Sequence, residues 1–145
     1  MAVADLAAQG EGVRASLTEI GTRQGISVTF LEQLFGKLRR AGLVDSVRGA
    51  QGGYLLKVAP SVLTLDRIIH AVDIDIKAHG CTPQDRVGCT GQTDRCLTHN
   101  LWGALENHIE SFLASVTVQD VLTENLPPFA AQDSQMKEPH VEAAE

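Results

Sequence analysis

The chain has 145 residues, 43% of them hydrophobic and 21% charged, enough for one ordinary core or one small module with an extension. Its formal charge of −6 excludes a uniformly basic nucleic-acid binder. No apolar run approaches the length of a membrane span, and no basic flank followed by an apolar stretch opens the sequence. Neither a membrane segment nor a signal peptide is therefore expected, and the expected compartment is the cytoplasm.

The charge is unevenly spread. Residues 1–60 carry seven Lys/Arg against five Asp/Glu, a net of +2, whereas residues 61–145 carry five against thirteen, a net of −8. A mildly basic half followed by an acidic one fits contact with a polyanion through the first half alone.

Residues 1–9 read as a short helix, broken by Gly10, Glu11 and Gly12. Ser16-Leu17-Thr18-Glu19 is a capping box, in which hydroxyl and carboxylate each satisfy an orphan amide at a helix start. The helix it opens runs to about Gln24, and Gly25 supplies a tight turn. Ser27 caps a second helix that carries Phe30, Leu31, Leu34, Phe35 and Leu38 at three- and four-residue spacing. That helix ends at Ala41-Gly42, with Lys37, Arg39 and Arg40 near the negative end of its dipole.

Two short helices around a glycine turn form a helix-turn-helix pattern. The second helix begins with Ser27, Val28 and Thr29, and its polar face continues through Glu32, Gln33, Gly36 and Lys37. The first residues of such a helix reach base edges in the major groove, where Gln pairs with adenine and Glu accepts from cytosine. Residues 43–48 then have strand character, 49–53 form a glycine-rich turn, and 54–58 form a second strand. A hairpin directly after the recognition helix is a wing, and Arg48 at its base is placed to meet a phosphate or a narrow minor groove.

Pro60 opens a new element, and residues 64–72 read as a short amphipathic helix on which His70 is a polar-face or interface residue. Residues 73–96 lack periodicity and hold all three cysteines. An odd count clustered within so few residues points to ligands rather than to a disulfide framework. The spacing is Cys81-x7-Cys89-x6-Cys96-x2-His99. Three thiols and an imidazole on a glycine-containing loop suit zinc or an iron–sulfur cluster. The two wide gaps tilt toward a cluster, since structural zinc usually brings two closely spaced pairs. His79 is a candidate substitute donor, whereas His108 and His140 have no such context. A long helix follows from about Leu97 to Ser115, with an apolar stripe of Leu101, Leu105, Ile109, Phe112 and Val116. A stripe this long beside so small a first module favours a dimer. Thr117 opens a last short helix that ends by Asn125.

The expected fold is therefore mainly α with a small β-hairpin wing: a winged helix-turn-helix plus a long dimerisation helix. Residues 1–59 form the DNA-binding domain, 60–125 the cluster-binding loop and dimerisation helices, and 126–145 a disordered tail. No phosphate loop, nucleophile–base pair or paired acids occur, so no enzyme is expected.

Gly25-Ile26-Ser27 with Phe30-Leu31-Glu32-Gln33-Leu34-Phe35, followed by Leu38-Arg39-Arg40-Ala41-Gly42-Leu43-Val44, resembles the IscR-type regulators of the Rrf-two family of winged-helix transcription factors. So do Ser46-Val47-Arg48-Gly49, Gly52-Gly53-Tyr54-Leu55-Leu56 and Cys96-Leu97-Thr98-His99-Asn100-Leu101-Trp102, and the resemblance covers about residues 1–125. It implies a homodimer on near-palindromic double-stranded DNA with one 2Fe–2S cluster per subunit. Cys81, Cys89 and Cys96 match the cysteine ligands and His99 the histidine ligand. Ser27, Thr29, Glu32, Gln33 and Arg48 match positions of DNA contact, with Glu32 discriminating between operator classes. The implied function is repression and activation of cluster-assembly or iron-related genes according to cluster status. The runner-up within the family is a nitric-oxide- or iron-responsive repressor; outside it, a metal- or cluster-holding protein without DNA function. Two departures stand out. The sequence starts inside the family's first helix, which is expected to lack about one turn or more and to fray. Both cysteine gaps are also wider than is usual in the IscR type, which bears on His99 more than on the cysteines.

Overall fold

The computed structural model describes residues 1–49, 52–74 and 98–127. Cys81, Cys89, Cys96, His79, His140, Leu97, the tip of the expected wing turn (Ala50 and Gln51) and residues 128–145 of the expected tail lie outside the described residues. Among those described, six helices and one antiparallel strand pair follow in the order α1 (Ala2–Ala8), α2 (Leu17–Gln24), α3 (Val28–Arg40), β1 (Val44–Val47), β2 (Gly53–Leu56), α4 (Leu65–Ala71), α5 (His99–Ser115) and α6 (Val118–Leu122). The mainly helical fold with its small hairpin matches the expectation.

Helix boundaries follow local chemistry. At α2 the Ser16 hydroxyl accepts from the Glu19 amide at 3.2 Å, and a Glu19 carboxylate oxygen accepts from the Ser16 amide at 2.7 Å. Gly25 ends α2 with φ of 66°, a left-handed conformation that glycine adopts without a Cβ clash. Ser27 caps α3 through the Phe30 amide at 3.3 Å. A second capping box, Thr117 with Asp120, starts α6.

The apolar spacing then assembles the core. Leu31, Phe35 and Leu38 of α3 are buried together with Leu6, Ile20, Leu43, Val44, Leu63 and Val118, so one core runs from α1 to α6. Phe35 is fully buried and meets Tyr54 of β2 edge-on, with ring centroids 5.0 Å apart. Truncating a ring in such a place costs about 3–5 kcal/mol. Phe30, expected on the apolar stripe, is instead 51% exposed. It stands one position before Leu31, and a 100° step per residue carries it off the buried face onto the flank of the polar one.

The wing pairs Val44 with Leu56, Asp45 with Leu55, Ser46 with Tyr54 and Val47 with Gly53. Ala15 adds a one-residue bridge to Tyr54 on the other edge of β2, with amide–carbonyl bonds of 3.0 and 2.9 Å. The hairpin is thereby stitched to the approach of α2, which fixes the wing relative to the helix-turn-helix.

At seven residues α1 is too short to persist alone. Packing holds it: Val3, Leu6 and Ala7 are buried, and the Asp5 carboxylate accepts from Arg23 at 2.7 Å and from Gln24 at 2.9 Å. The expected fraying is thus opposed at the middle of the helix. The Asp5 side chain is only 8% exposed, and Arg23 holds its carboxyl below the ordinary value of 3.8. The capping carboxylates move the same way: the Ser16 amide lowers Glu19, and the Thr117 hydroxyl lowers Asp120. Each group binds fewer protons folded than unfolded once the pH falls below its ordinary value. Their stabilisation is complete above about pH 5 and is lost as the pH drops through 4.5 and 3.8 toward the lowered folded values. We expect the urea midpoint of the metal-free protein to fall between pH 5 and pH 3.5, with a shallower fall in Asp5→Asn. An equal slope for parent and variant would remove Asp5 from this account.

Candidate nucleic-acid interface

The loop after Gln24 turns the chain within three residues, so α3 leaves almost at once from the end of α2. The turn is tight because Gly21 lies against it. The Ile26 amide donates to the Gly21 carbonyl at 3.0 Å, and a Cβ added at Gly21 would lie 2.7 Å from the Ile26 carbonyl oxygen. One side of the first turns of α3 then stands clear of the core. Thr29, Glu32 and Gln33 are exposed on the side of α3 away from Leu31, Phe35 and Leu38, and Ser27 is exposed at its N-cap. Ser27 spends an oxygen lone pair on its cap, which leaves its O–H free to donate outward.

Arg48 follows β1 directly and is exposed where the wing turn begins, beyond the last strand pair Val47–Gly53, rather than at the base of the wing. Two cations of α3 are engaged within the chain. Arg39 donates to the Ser46 hydroxyl at 3.0 Å, bracing α3 against β1. Lys37, expected on the polar face of α3, turns sideways to the end of α4, where Nζ donates to the Val72 carbonyl at 3.0 Å. No local signal in the sequence pointed there, because the partners are 35 positions apart.

The structure brings three of the five expected contact residues, Thr29, Glu32 and Gln33, onto one helix face, with Ser27 at the cap of the same helix and Arg48 on the wing. It presents small polar groups and a carboxylate on the helix and an arginine on the wing, an arrangement able to read base edges while a cation meets the backbone.

Of the expected metal donors, only His99 is described. It is half-buried as the first residue of α5. The helix start is braced by Trp102, whose indole N–H donates to the Thr98 hydroxyl oxygen at 3.2 Å. The described residues contain no cluster of three metal-ligating side chains. The donor set still fits an iron–sulfur group in its chemistry: three thiols and an imidazole are soft to borderline donors.

α5 buries none of its side chains, and Leu101, Leu105 and Phe112 lie exposed along one stripe, Leu101 by 63%. No helix among the described residues is long and apolar enough to cross a membrane.

A profile of the Rrf2 family, described as iron-dependent transcriptional regulators, matches residues 1–124. The chain belongs to the Rrf2 family. The HTH-type transcriptional regulator IscR of Aliivibrio salmonicida is 44% identical to this Rrf2 chain over 124 residues, 86% of this chain and 72% of that protein. IscR of Photorhabdus laumondii is 45% identical over 121 residues, 83% of this chain and 72% of that protein. Among solved structures, T. potens IscR superposes with a TM-score of 0.62 at 36% identity, covering 86% of this chain and 80% of that one. CymR, the global cysteine regulator of B. subtilis, gives 0.66 at 29% identity, covering 83% and 87%. The resemblance in the helix-turn-helix and Cys96–Trp102 motifs therefore holds along most of the chain. As a member of the Rrf2 family, the protein is a DNA-binding transcriptional regulator and not an enzyme.

Proposed function

We propose that this Rrf2 regulator is a cytoplasmic homodimer that senses iron–sulfur cluster status and controls cluster-assembly or iron-related genes from near-palindromic operators. Residues 1–59 carry the DNA contacts, residues 60–125 hold a 2Fe–2S cluster through Cys81, Cys89, Cys96 and His99 and form the dimer, and residues 126–145 are a tail. The observation that carries this reading is the exposed Thr29, Glu32 and Gln33 on α3, with Ser27 exposed at its cap and Arg48 exposed on the wing, in a chain whose three cysteines lead into His99. Its relatives named IscR support the sensing part.

Gln33 suits adenine, whose ring nitrogen and amino group match its amide, and Glu32 accepts from a cytosine amino group. A carboxylate in the groove is repelled by phosphates and base acceptors unless it finds such a donor, so Glu32 discriminates among operators. Ser27 and Thr29 donate to phosphate, and Arg48 neutralises the backbone or enters a narrow minor groove. Three thiolates and one imidazole hold the cluster, which when bound supplies redox chemistry tuned by its ligands. Thiols kept available for ligation fit a reducing compartment. The stripe of Leu101, Leu105 and Phe112 is covered by the same stripe of a second copy, and a two-fold dimer presents two recognition helices to two half-sites.

Anaerobic purification with iron and sulfide assays tests the cofactor: iron and sulfide in equal amounts support it, and zinc alone removes it. Arg48→Ala tests the interface. We expect weaker operator binding, with the slope of log affinity against log salt reduced by about one. Fluorescence anisotropy across a salt series measures both. An unchanged affinity and slope would take Arg48 out of the interface.

A further inference from the structure

The sideways turn of Lys37 connects the recognition helix to the element that precedes the cysteines. Its Nζ donates to the Val72 carbonyl at 3.0 Å and pairs with the Asp73 carboxylate at 3.1 Å. Val72 is the C-cap residue of α4, so its carbonyl is among those a helix end leaves without an intrahelical partner. An ammonium there also meets the negative end of the helix dipole. The two contacts differ in weight. Asp73 is 79% exposed, so the ion pair is screened by water and salt. The bond to Val72 is part-buried and charge-assisted, and carries most of the link. Asp73 has φ of 55°, uncommon for a residue with a Cβ, and the chain turns away from α4 at the tie.

The other end of α4 is tied elsewhere. The Leu65 amide donates to Val116 at 2.9 Å, the Val118 amide donates to Leu63 at 2.8 Å, and Thr64 bridges Thr117. Thus α4 is fixed at its start to the segment after α5 and at its end to α3. Among the described residues, the polar links between α3 and the C-terminal end of α4 all pass through the Lys37 ammonium. In the sequence, the stretch carrying Cys81, Cys89 and Cys96 runs from the end of α4 to the start of α5. The chain enters that stretch just after Asp73 and Ile74, and Asp73 is where Lys37 holds on.

We propose that Lys37 is a positioning residue that ties the recognition helix to the end of α4, so that the state of the cysteine-bearing stretch sets where Thr29, Glu32 and Gln33 stand against DNA. The tie itself rests on geometry alone; its role in operator choice rests on the sensing function proposed above. Such a link is a coupling between two sites and acts on both.

Two variants separate the ammonium from the rest of the side chain. Lys37→Met keeps an apolar stem of similar length, and Lys37→Arg keeps a cationic donor. Hydrogen exchange on the cluster-free protein reads the tie without any cofactor. We expect Lys37→Met to speed exchange in the last turn of α4 and in α3, and Lys37→Arg to resemble the parent. Unchanged exchange in Lys37→Met overturns the tie. Operator affinities of cluster-loaded and cluster-free protein read the coupling, with iron content and visible spectrum unchanged in both variants. In Lys37→Met we expect the difference between loaded and cleared protein to shrink by about fivefold or more, with Lys37→Arg restoring it. Equal loss of affinity in both states shows a merely structural role and overturns the coupling. Should the parent bind every operator identically whether loaded or cleared, the sensing function falls and the coupling with it, while the exchange result still decides the tie.

Discussion

Replacing Gly21 by alanine is expected to lower stability by about 1–3 kcal/mol, the usual cost of overpacking a tight contact. Two effects oppose each other at this position. Alanine is the better helix former by about 0.8–1 kcal/mol, which favours the variant in α2. Against it, the new Cβ would lie 2.7 Å from the Ile26 carbonyl oxygen, with Leu31 Cδ1 at 3.5 Å and Val28 Cγ2 at 3.6 Å. The nearest atom is backbone, in a turn closed by the bond from the Ile26 amide to the Gly21 carbonyl. It cannot rotate aside as a side chain would, so the clash outweighs the propensity gain. Relief requires α3 to move away from α2, and α3 carries Ser27, Thr29, Glu32 and Gln33. Operator affinity should therefore fall more than stability alone explains. Valine, with two further methyl groups, should leave little specific binding. Denaturant melts and anisotropy titrations at a temperature where the variant stays folded check both. Alanine that raises the urea midpoint with affinity intact would show that the turn can yield.

The second large effect is expected at Cys89. Its substitution by alanine should abolish visible absorbance after anaerobic reconstitution and leave iron near background, because the proposed donor set falls from four to three and loses a thiolate. The dimer should survive, since the apolar stripe of Leu101, Leu105 and Phe112 lies on α5, outside the cysteine stretch. Light scattering and an iron assay on one sample test both halves. A variant that keeps the parent's spectrum would remove Cys89 from the ligand set. A variant that loses colour and also dissociates would mean that the cluster, rather than the stripe, holds the two copies together.

These two residues were not equally visible in the sequence. Cys89 stands out by chemistry, since three thiols followed closely by a histidine have few other uses. Gly21 does not stand out at all, because a glycine inside an amphipathic helix reads as a mild weakness until the turn is seen to fold back upon it. Phe30 illustrates a related limit. Apolar residues three and four apart define a face, but periodicity cannot say whether a residue at its margin falls inside or outside the core.

What the sequence by itself determined is what depends on neighbours within about four positions. The Ser16–Glu19 box, the Ser27 cap, the left-handed turn at Gly25, the stripe of Leu31, Phe35 and Leu38 and the glycine-rich wing turn are interactions among adjacent residues. Their free energies favour the same structure in a short segment as in the whole chain. The tertiary structure alone decided the pairings across distance: Asp5 with Arg23, Ala15 with Tyr54, Thr64 with Thr117, and Lys37 with Val72 and Asp73. A lysine near the end of a helix suits its own helix dipole, a phosphate or a neighbouring carbonyl equally well. The choice among them falls to whichever partner the packed core brings within 3 Å, and only burial of residues far apart in the chain decides where that core closes.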